Sequence, residues 1–225
     1  MMVQQERAVR TRRALVRAAA EAFAEEGFVP TTLSTISRKA GVSSGALHFH
    51  FASKHDLARA VEAAAAEAVR HITGQADQRP GSALQRLVDA THAVLGSLER
   101  DVVVRAGFEL VTTAARRGGA VGVVDLRGQW QRWVCAVLHT ARQQGELAGG
   151  VSPADAAGAV VAASVGFEVL SVTDPAWVSR HTLSQYWELM LPRLAAPGRL
   201  AGLVPGGSGP GVLRPAPATP EQTTP

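Results

Sequence analysis

The stretch GVSSGALHFHF, residues 41–51, gathers side chains that could do chemistry. Its G-V-S-S-G run fits the G-x-S-x-G pattern of a hydrolase nucleophile elbow, with Ser43 as the nucleophile. The pair His48 and His50, which follows at once, suggests metal ligands. The same residues also fit the second half of a DNA-binding helix-turn-helix. The flanking sequence and its elements have to decide among these three hypotheses.

A nucleophile elbow needs a buried strand before the serine, because the strained strand-to-helix turn exposes the hydroxyl. The preceding segment TTLSTISRKA instead predicts an amphipathic helix that Thr31 and Thr32 can cap, with its apolar residues Leu33, Ile36 and Ala40 facing inward. No later Asp and His stand in a recognisable triad context. A serine hydrolase is therefore only a remote alternative, and we expect no enzyme.

A metal site finds little support in the sequence. His48 and His50 are two residues apart, a spacing that points the two rings in divergent directions on a helix. The single cysteine, Cys135, lies far along the chain, and no ligand pair at i, i+4 supports the site. We expect neither a metal nor another cofactor.

The helix-turn-helix hypothesis accounts for every residue of the stretch. Gly41 can adopt the positive φ of a tight turn, and Ser43 can cap the second helix, whose N-terminus suits a phosphate. Ser44 and His48, four residues apart, share the outward face, and Gly45 lets the backbone approach a groove. Five residues would form the shared core of the two helices: Ile36, Ala40, Val42, Leu47 and Phe51.

Basic residues surround this motif. The formal charge is +4 and the pI about 10.2, which permits a polyanionic partner without requiring one. The arginines of the first helix fit phosphate contacts, which set affinity and salt dependence more than sequence preference. The predicted contacts to double-stranded DNA are Arg7, Arg10, Arg12, Thr32, Ser43, Ser44, Gly45, His48, His50 and Lys54.

A helical period of apolar residues dominates the rest of the chain. It predicts about nine helices, the first over about residues 4–26 and the fourth ending near residue 72. The polar segment Gly74–Gly81 suggests a boundary, and Pro175 is expected to open the ninth helix. No segment gives a convincing strand signal. The fold class is therefore all-α.

Three parts follow from this pattern. Residues 1–52 would form a three-helix DNA-binding domain, with the helix-turn-helix at about 32–51. Residues 53–196 would form a larger helical domain. Residues 197–225 hold seven of the twelve prolines with little to bury, so they predict a disordered tail.

Compartment signals are simple. One cysteine suggests a reducing environment, and residues 1–20 are polar and Arg-rich without a signal-peptide core. The longest apolar stretch, about residues 156–167, is too short to span a bilayer. We expect a cytoplasmic protein without a membrane partner.

Residues 11–61, TRRALVRAAAEAFAEEGFVPTTLSTISRKAGVSSGALHFHFASKHDLARAV, resemble the TetR family of bacterial repressors. Within that family the chain is most similar to the γ-butyrolactone receptor group. This narrower similarity also covers QQERA at 4–8, GALHFHF at 45–51, Trp130 ten residues before TAR, and LP…APG at 191–198.

The resemblance implies an all-α homodimer that binds a near-palindromic operator and responds to a small molecule, with residues 53–196 as its effector-binding and dimerisation domain. The eighth and ninth helices would form the four-helix bundle between subunits, and Trp130 would line the effector pocket. Ser44 and His48 replace the Lys and Tyr usual in lactone receptors. Ala65 and Val165 stand where polar residues are common around the pocket, and each lost hydrogen bond would cost a lactone about 1–3 kcal/mol.

These observations predict a ligand-responsive repressor of secondary-metabolite genes. Its effector would be a lactone-like signal or, as in pseudo-receptors of this group, an antibiotic or intermediate. An effector-blind DNA-binding regulator with a packed C-terminal core is the alternative.

Overall fold

The computed structural model describes residues 2–116 and 125–208, except for the side chains of residues 2–4 and 114–116. No strand occurs within these residues, which confirms the all-α prediction. The α-helices of these residues are α1 (Met2–Glu26), α2 (Leu33–Lys39), α3 (Ser44–His50), α4 (Lys54–Asp77), α5 (Ala83–Arg100), α6 (Val102–Arg116), α7 (Leu126–Gln143), α8 (Pro153–Leu170) and α9 (Arg180–Leu194).

Contacts divide the chain into two compact units. Of the described residues, the first unit comprises 2–67, 100–116 and 125–126, and the second comprises 68–99 and 127–208. The compact unit at the N-terminus thus extends beyond residue 52, because α6 packs on α1 and the first part of α4 joins the same core. The functional boundary at residue 52 stays a prediction.

The core of the first unit is built from the apolar stripes of its helices. Ala and Leu side chains of α1 pack against α2 and α6, and α2 packs against α3. Fully or almost fully buried members include Leu15, Ala19, Phe23, Ile36, Leu47, Phe51, Leu57 and Val61.

The second unit relies on buried carboxylates as well as apolar side chains. Glu146 caps α5, because its carboxylate accepts the backbone N–H groups of Ala83 (3.1 Å) and Leu84 (2.9 Å). Glu168 of α8 is buried and accepts two bonds from the Arg127 guanidinium of α7, at 3.0 and 2.7 Å. A buried carboxylate is stable only when it is hydrogen-bonded or paired with a cation, and each of these two carboxylates has such partners.

Three expectations about elements need correction. α4 continues through Gly74 to Asp77, so the polar segment is shorter than predicted. The residues after Pro175 form a short 3₁₀ helix, Pro175–Val178, and α9 begins only at Arg180 with Ser179 as its cap. The C-terminal segment also differs from its prediction.

Residues 199–208 are ordered, against the prediction of a disordered tail from residue 197. We call this segment the C-terminal strap. It contains a 3₁₀ turn, Leu200–Gly202, and then follows α5, where Ser208 donates to the carboxylate of Asp89 through its N–H and its hydroxyl, both at 2.9 Å. Polar partners on α5 therefore replace the apolar burial that the strap lacks. Residues 209–225 of the predicted tail lie outside the described residues.

α8 differs from the other helices in its exposure. Among the described residues it is the helix whose length and hydropathy would suit a membrane span, yet less than a third of it is buried in the chain. Val169, Leu170 and Val172 at its C-terminal end are exposed, as is Leu189 of α9. The second unit thus leaves apolar surface on both of its last helices.

Candidate nucleic-acid interface and ligand site

Two short helices and a tight turn form the motif that the sequence predicts. Gly41 has φ +66°, the left-handed conformation that favours glycine, and its N–H donates to the carbonyl of Arg38 at 3.1 Å. Val42 N–H then donates to Ser37 O at 3.0 Å. Since the turn carries α2 directly into α3, the predicted helix-turn-helix is present.

Side-chain caps fix where both helices begin. Thr32 Oγ1 accepts the N–H of Thr35 at 3.1 Å, and Ser43 Oγ accepts that of Ala46 at 3.1 Å. Both residues are exposed. Ser43 is confirmed as a cap, and of the two threonines predicted to cap α2 it is Thr32 that does so, while the buried Thr31 donates to the carbonyls of Ala22 and Gly27.

The outer face of α3 carries the predicted base-reading residues. Ser44, Gly45 and His48 are exposed, whereas Leu47 beneath them is buried. His50 is half-buried and meets the ring of Phe49 edge-on, with centroids 5.1 Å apart. The structure therefore brings four of the predicted DNA-contacting residues onto one short helix.

Phe49 is a residue of this face that sequence reasoning missed. It is 81% exposed, the most exposed of the large apolar side chains described. A phenyl ring this exposed buries little apolar surface in the folded chain, but it can contact the methyl group of thymine in the major groove. The signal lay in the helical period, since Phe49 falls between the buried residues Leu47 and Phe51 and so points away from the core.

The predicted arginines of α1 lie on the surface. Arg7, Arg10 and Arg12 are all exposed. The guanidinium carbon of Arg12 also lies 5.1 Å from the centroid of the Phe51 ring, just beyond α3. This cation–π contact links α1 to the end of the helix-turn-helix.

Lys54 does not fit the predicted phosphate contact. Its Nζ donates to the backbone carbonyls of Phe28 (2.8 Å), Val29 (2.9 Å) and Thr31 (2.7 Å). An ammonium has three protons, so all of its donors are used within the protein. Lys54 instead fixes the connection between α1 and α2, a role that depends on contacts more than twenty residues away in sequence.

The structure around Ser43 differs from what a nucleophile elbow needs. The segment before Ser43 is helix α2 and a turn, so the strand that a nucleophile elbow requires is replaced by helix. Among residues 2–116 and 125–208 no group of three or more His, Cys, Asp or Glu could hold a metal ion.

Trp130 of α7 is buried at 4% exposure and stacks on Trp133, with ring centroids 5.3 Å apart. The indole N–H of Trp133 donates to Asp77 Oδ1 at 3.0 Å. The indole N–H of Trp130, in contrast, has no hydrogen-bond partner among the described residues. A buried unpaired donor is costly, and a ligand oxygen would satisfy it.

Ala65 and Val165, the other two predicted ligand-binding residues, lie on different helices. Ala65 is fully buried in α4, close to Gly107 of α6: a Cβ added at Gly107 would lie 2.5 Å from the Ala65 Cβ. Ala65 therefore takes part in close helix packing. Val165 is half-buried in α8.

Comparisons of sequence place this architecture among known proteins. Residues 15–61 match the model for bacterial regulatory proteins of the tetR family. The chain is 32% identical over 210 residues to the A-factor receptor protein of Streptomyces griseus. This alignment covers 92% of this chain and 71% of that protein. It is 29% identical to the HTH-type transcriptional repressor BepR of Brucella suis biovar 1, over 71% of this chain and 79% of that one.

Solved structures agree with the sequence comparisons. A crystal structure of a γ-butyrolactone receptor (ArpA-like protein) superposes with a TM-score of 0.75 at 28% identity, covering 89% of this chain and 96% of that one. CprB from Streptomyces coelicolor, solved in complex with its biological operator sequence, gives 0.70 at 29% identity, with 88% and 94% covered. These relatives are regulators and not enzymes. The chain belongs to the TetR family of bacterial transcriptional regulators, in which it is related to the γ-butyrolactone receptors.

Proposed function

We propose that the chain is a repressor that binds a near-palindromic operator as a dimer and is released by a small hydrophobic molecule. The observation that carries the DNA-binding part is the exposed face of α3, where Ser44, Gly45, His48 and Phe49 are presented by a capped helix on a buried core. A helix of this kind enters the major groove with its exposed side chains against base edges.

Dimerisation has its support in the second unit. The exposed apolar residues of α8 and α9 and of the turn between them include Val169, Leu170, Val172, Trp177 and Leu189. A second copy of the chain would cover this surface, in the manner of the four-helix bundle that the resemblance implies. Two recognition helices related by a two-fold axis then require an operator of two inverted half-sites.

Ligand response rests on the unpaired indole N–H of Trp130, which would donate to a carbonyl or hydroxyl of the effector. An effector shifts the protein only by its difference in affinity for the two states, so tenfold release from DNA requires about 1.4 kcal/mol. The flanking Trp133 ring provides an apolar wall. Regulation of secondary-metabolite genes and a cytoplasmic location belong to the same proposal.

A binding experiment with DNA and effector probes tests the proposal. Operator fragments are selected by the full chain from the DNA flanking its own gene, and binding is followed by fluorescence anisotropy. An alkyl-substituted γ-butyrolactone and culture extract are then added separately. We expect a tight, salt-dependent complex that at least one of the two dissociates, with Trp130→Phe needing a higher effector concentration.

The outcomes separate the proposal from its alternative. Tight binding that neither addition weakens would indicate an effector-blind regulator with a packed C-terminal core. Failure to bind any flanking or selected duplex at low salt would overturn DNA-binding itself.

A further inference from the structure

A cavity of about 220 Å³ opens in the first unit, and no residue of α3 lines it. Its walls are the C-terminal end of α1, the connection to α2, and one side of α6. Phe23, Phe28, Pro30 and Leu110 provide apolar surface, and the first two rings pack against each other with centroids 5.4 Å apart. The cavity is therefore an aromatic and aliphatic slot.

One ionisable side chain lines this slot. Glu109 of α6 is half-buried there, and its carboxylate has no hydrogen-bond partner among the described residues. Burial raises the pKa of Glu109, while the charge of Arg105, one turn earlier, lowers it. A partly desolvated carboxylate without a donor is stabilised by a cation that brings its own N–H groups.

The size of the cavity limits the occupant. A volume of about 220 Å³ is roughly seven times the ~30 Å³ that a water molecule takes in the liquid. Drug-sized ligands occupy pockets of about 300–1,000 Å³. The slot thus suits a molecule of fragment size.

We propose that this cavity is a second small-molecule site, which binds a compact organic cation with its ammonium on Glu109 and its apolar body against Phe28 and Leu110. Aromatic faces add to the attraction for a cation. The occupant would lie against the 27–31 connection, whose carbonyls Lys54 already holds. Occupancy would therefore stabilise the unit that carries the helix-turn-helix, by binding only its folded form.

Three probes of similar size and different charge test the site on the full chain without DNA. They are 2-phenylethylammonium, neutral 2-phenylethanol and anionic 3-phenylpropanoate, titrated while backbone amide shifts are recorded. We expect the ammonium to bind at least tenfold more tightly than the alcohol and to shift the amides of residues 27–29 and 106–113. Equal binding of cation and alcohol, or shifts confined to other residues, would overturn the proposal.

Variants locate the charge and the slot. Glu109→Gln should abolish the preference for the cation, whereas Glu6→Gln, which removes an exposed carboxylate of α1, should leave it intact. Val29→Trp should block all three probes without loss of folding, because Val29 lines the cavity and is 59% exposed. A cation preference that survives Glu109→Gln would contradict the site. Since no DNA is used, the result is independent of the proposed repressor function.

Discussion

At the scale of single residues, the exposed side chains of α3 divide their work between hydrogen bonding and apolar contact. His48 can donate to or accept from a base edge, and Phe49 can cover a thymine methyl. We expect His48→Ala and Phe49→Ala each to weaken operator binding by about 1–3 kcal/mol and to leave binding to random DNA almost unchanged. Competition anisotropy at fixed salt measures both affinities.

The exposed His139 of α7 provides a matched control for this prediction. His139→Ala should bind operator and random DNA as the unchanged protein does. Equal losses on operator and random DNA for His48→Ala or Phe49→Ala would mean that these residues do not read bases.

Lys54 and Lys39 are the only lysines of the chain, and their environments separate a structural role from a surface one. Lys54 makes three charge-assisted bonds to carbonyls, whereas Lys39 forms an exposed ion pair with Glu25 at 2.8 Å. We expect Lys54→Met to lower the free energy of unfolding by roughly 1.5–3 kcal/mol and Lys39→Met to lower it by much less, because the exposed ion pair is screened by solvent. Urea denaturation measures both values.

A phosphate role for Lys54 would give a different pattern. In that case Lys54→Met would keep its stability and would reduce the slope of log affinity against log salt by about one. We expect the salt slope to stay unchanged once the variant is measured well below its melting temperature.

At the scale of elements, the glycine of the turn, Gly41, and the glycine of the second helix, Gly45, differ in whether they can accept a Cβ. A Cβ at Gly45 would meet only Ser43 Oγ at 3.9 Å, an ordinary contact, whereas Gly41 has φ +66°. Gly45→Ala should therefore raise the free energy of unfolding by up to about 1 kcal/mol, and with it the melting temperature. The same change should weaken operator binding at least tenfold. Gly41→Ala should cost about 1–2 kcal/mol of stability. Thermal melts measure the stabilities, and anisotropy on the same samples measures the operator affinities. Unimpaired operator binding by Gly45→Ala would show that the backbone does not approach the groove at this position.

The C-terminal strap is an element held by polar contacts, so its stability should depend on pH. His92 of α5 lies 2.8 Å from the carbonyl of Pro205, and burial lowers the pKa of His92 despite this hydrogen bond. A histidine with a lowered pKa binds its proton more readily when unfolded, so stability is lost as the pH falls below about 6.5. Arg180 opposes protonation and Asp89 favours it.

We expect His92→Gln to lose less stability than the unchanged protein between pH 7.5 and pH 5.5. Urea denaturation at both pH values measures this, with hydrogen exchange of the Ser208 amide as the local reporter. His139→Gln is the control, because His139 is exposed on α7. A pH dependence identical to that of the unchanged protein would mean that His92 does not couple to the strap.

Sequence patterns predicted the elements whose causes are local. The caps Thr32 and Ser43 and the turn at Gly41 follow from residues within four positions, and they are confirmed. The partners of Lys54 and Ser208 are not local, because they lie 23–26 and 119 residues away in the chain. The Gly- and Pro-rich composition of the C-terminal segment therefore predicted disorder for the strap. The hydrogen bonds from Ser208 to Asp89 could not be predicted, because no local pattern reveals so distant an acceptor.

At the scale of the whole molecule, the proposed function needs two copies of the chain. One recognition helix reads a half-site of few base pairs, whereas a dimer adds the second half-site as an intramolecular event and gains about 10²–10⁴ in affinity. Leu189, 77% exposed on α9, lies in the apolar surface proposed for the partner. Because that side chain contacts little in a single chain, Leu189→Arg should leave the free energy of unfolding within about 0.5 kcal/mol and yet give a monomer.

Light scattering and anisotropy on the same samples test this dependence. We expect Leu189→Arg to be monomeric and to bind the full operator no better than an isolated half-site, while its low-salt binding to random DNA persists. Gln131→Arg adds the same charge to an exposed position of α7 and should remain dimeric with full operator affinity. If Leu189→Arg stayed dimeric and kept its operator affinity, the interface would lie on a different surface. If it became monomeric with operator affinity intact, one copy would be enough to read the DNA, and the requirement for inverted half-sites would fall with it.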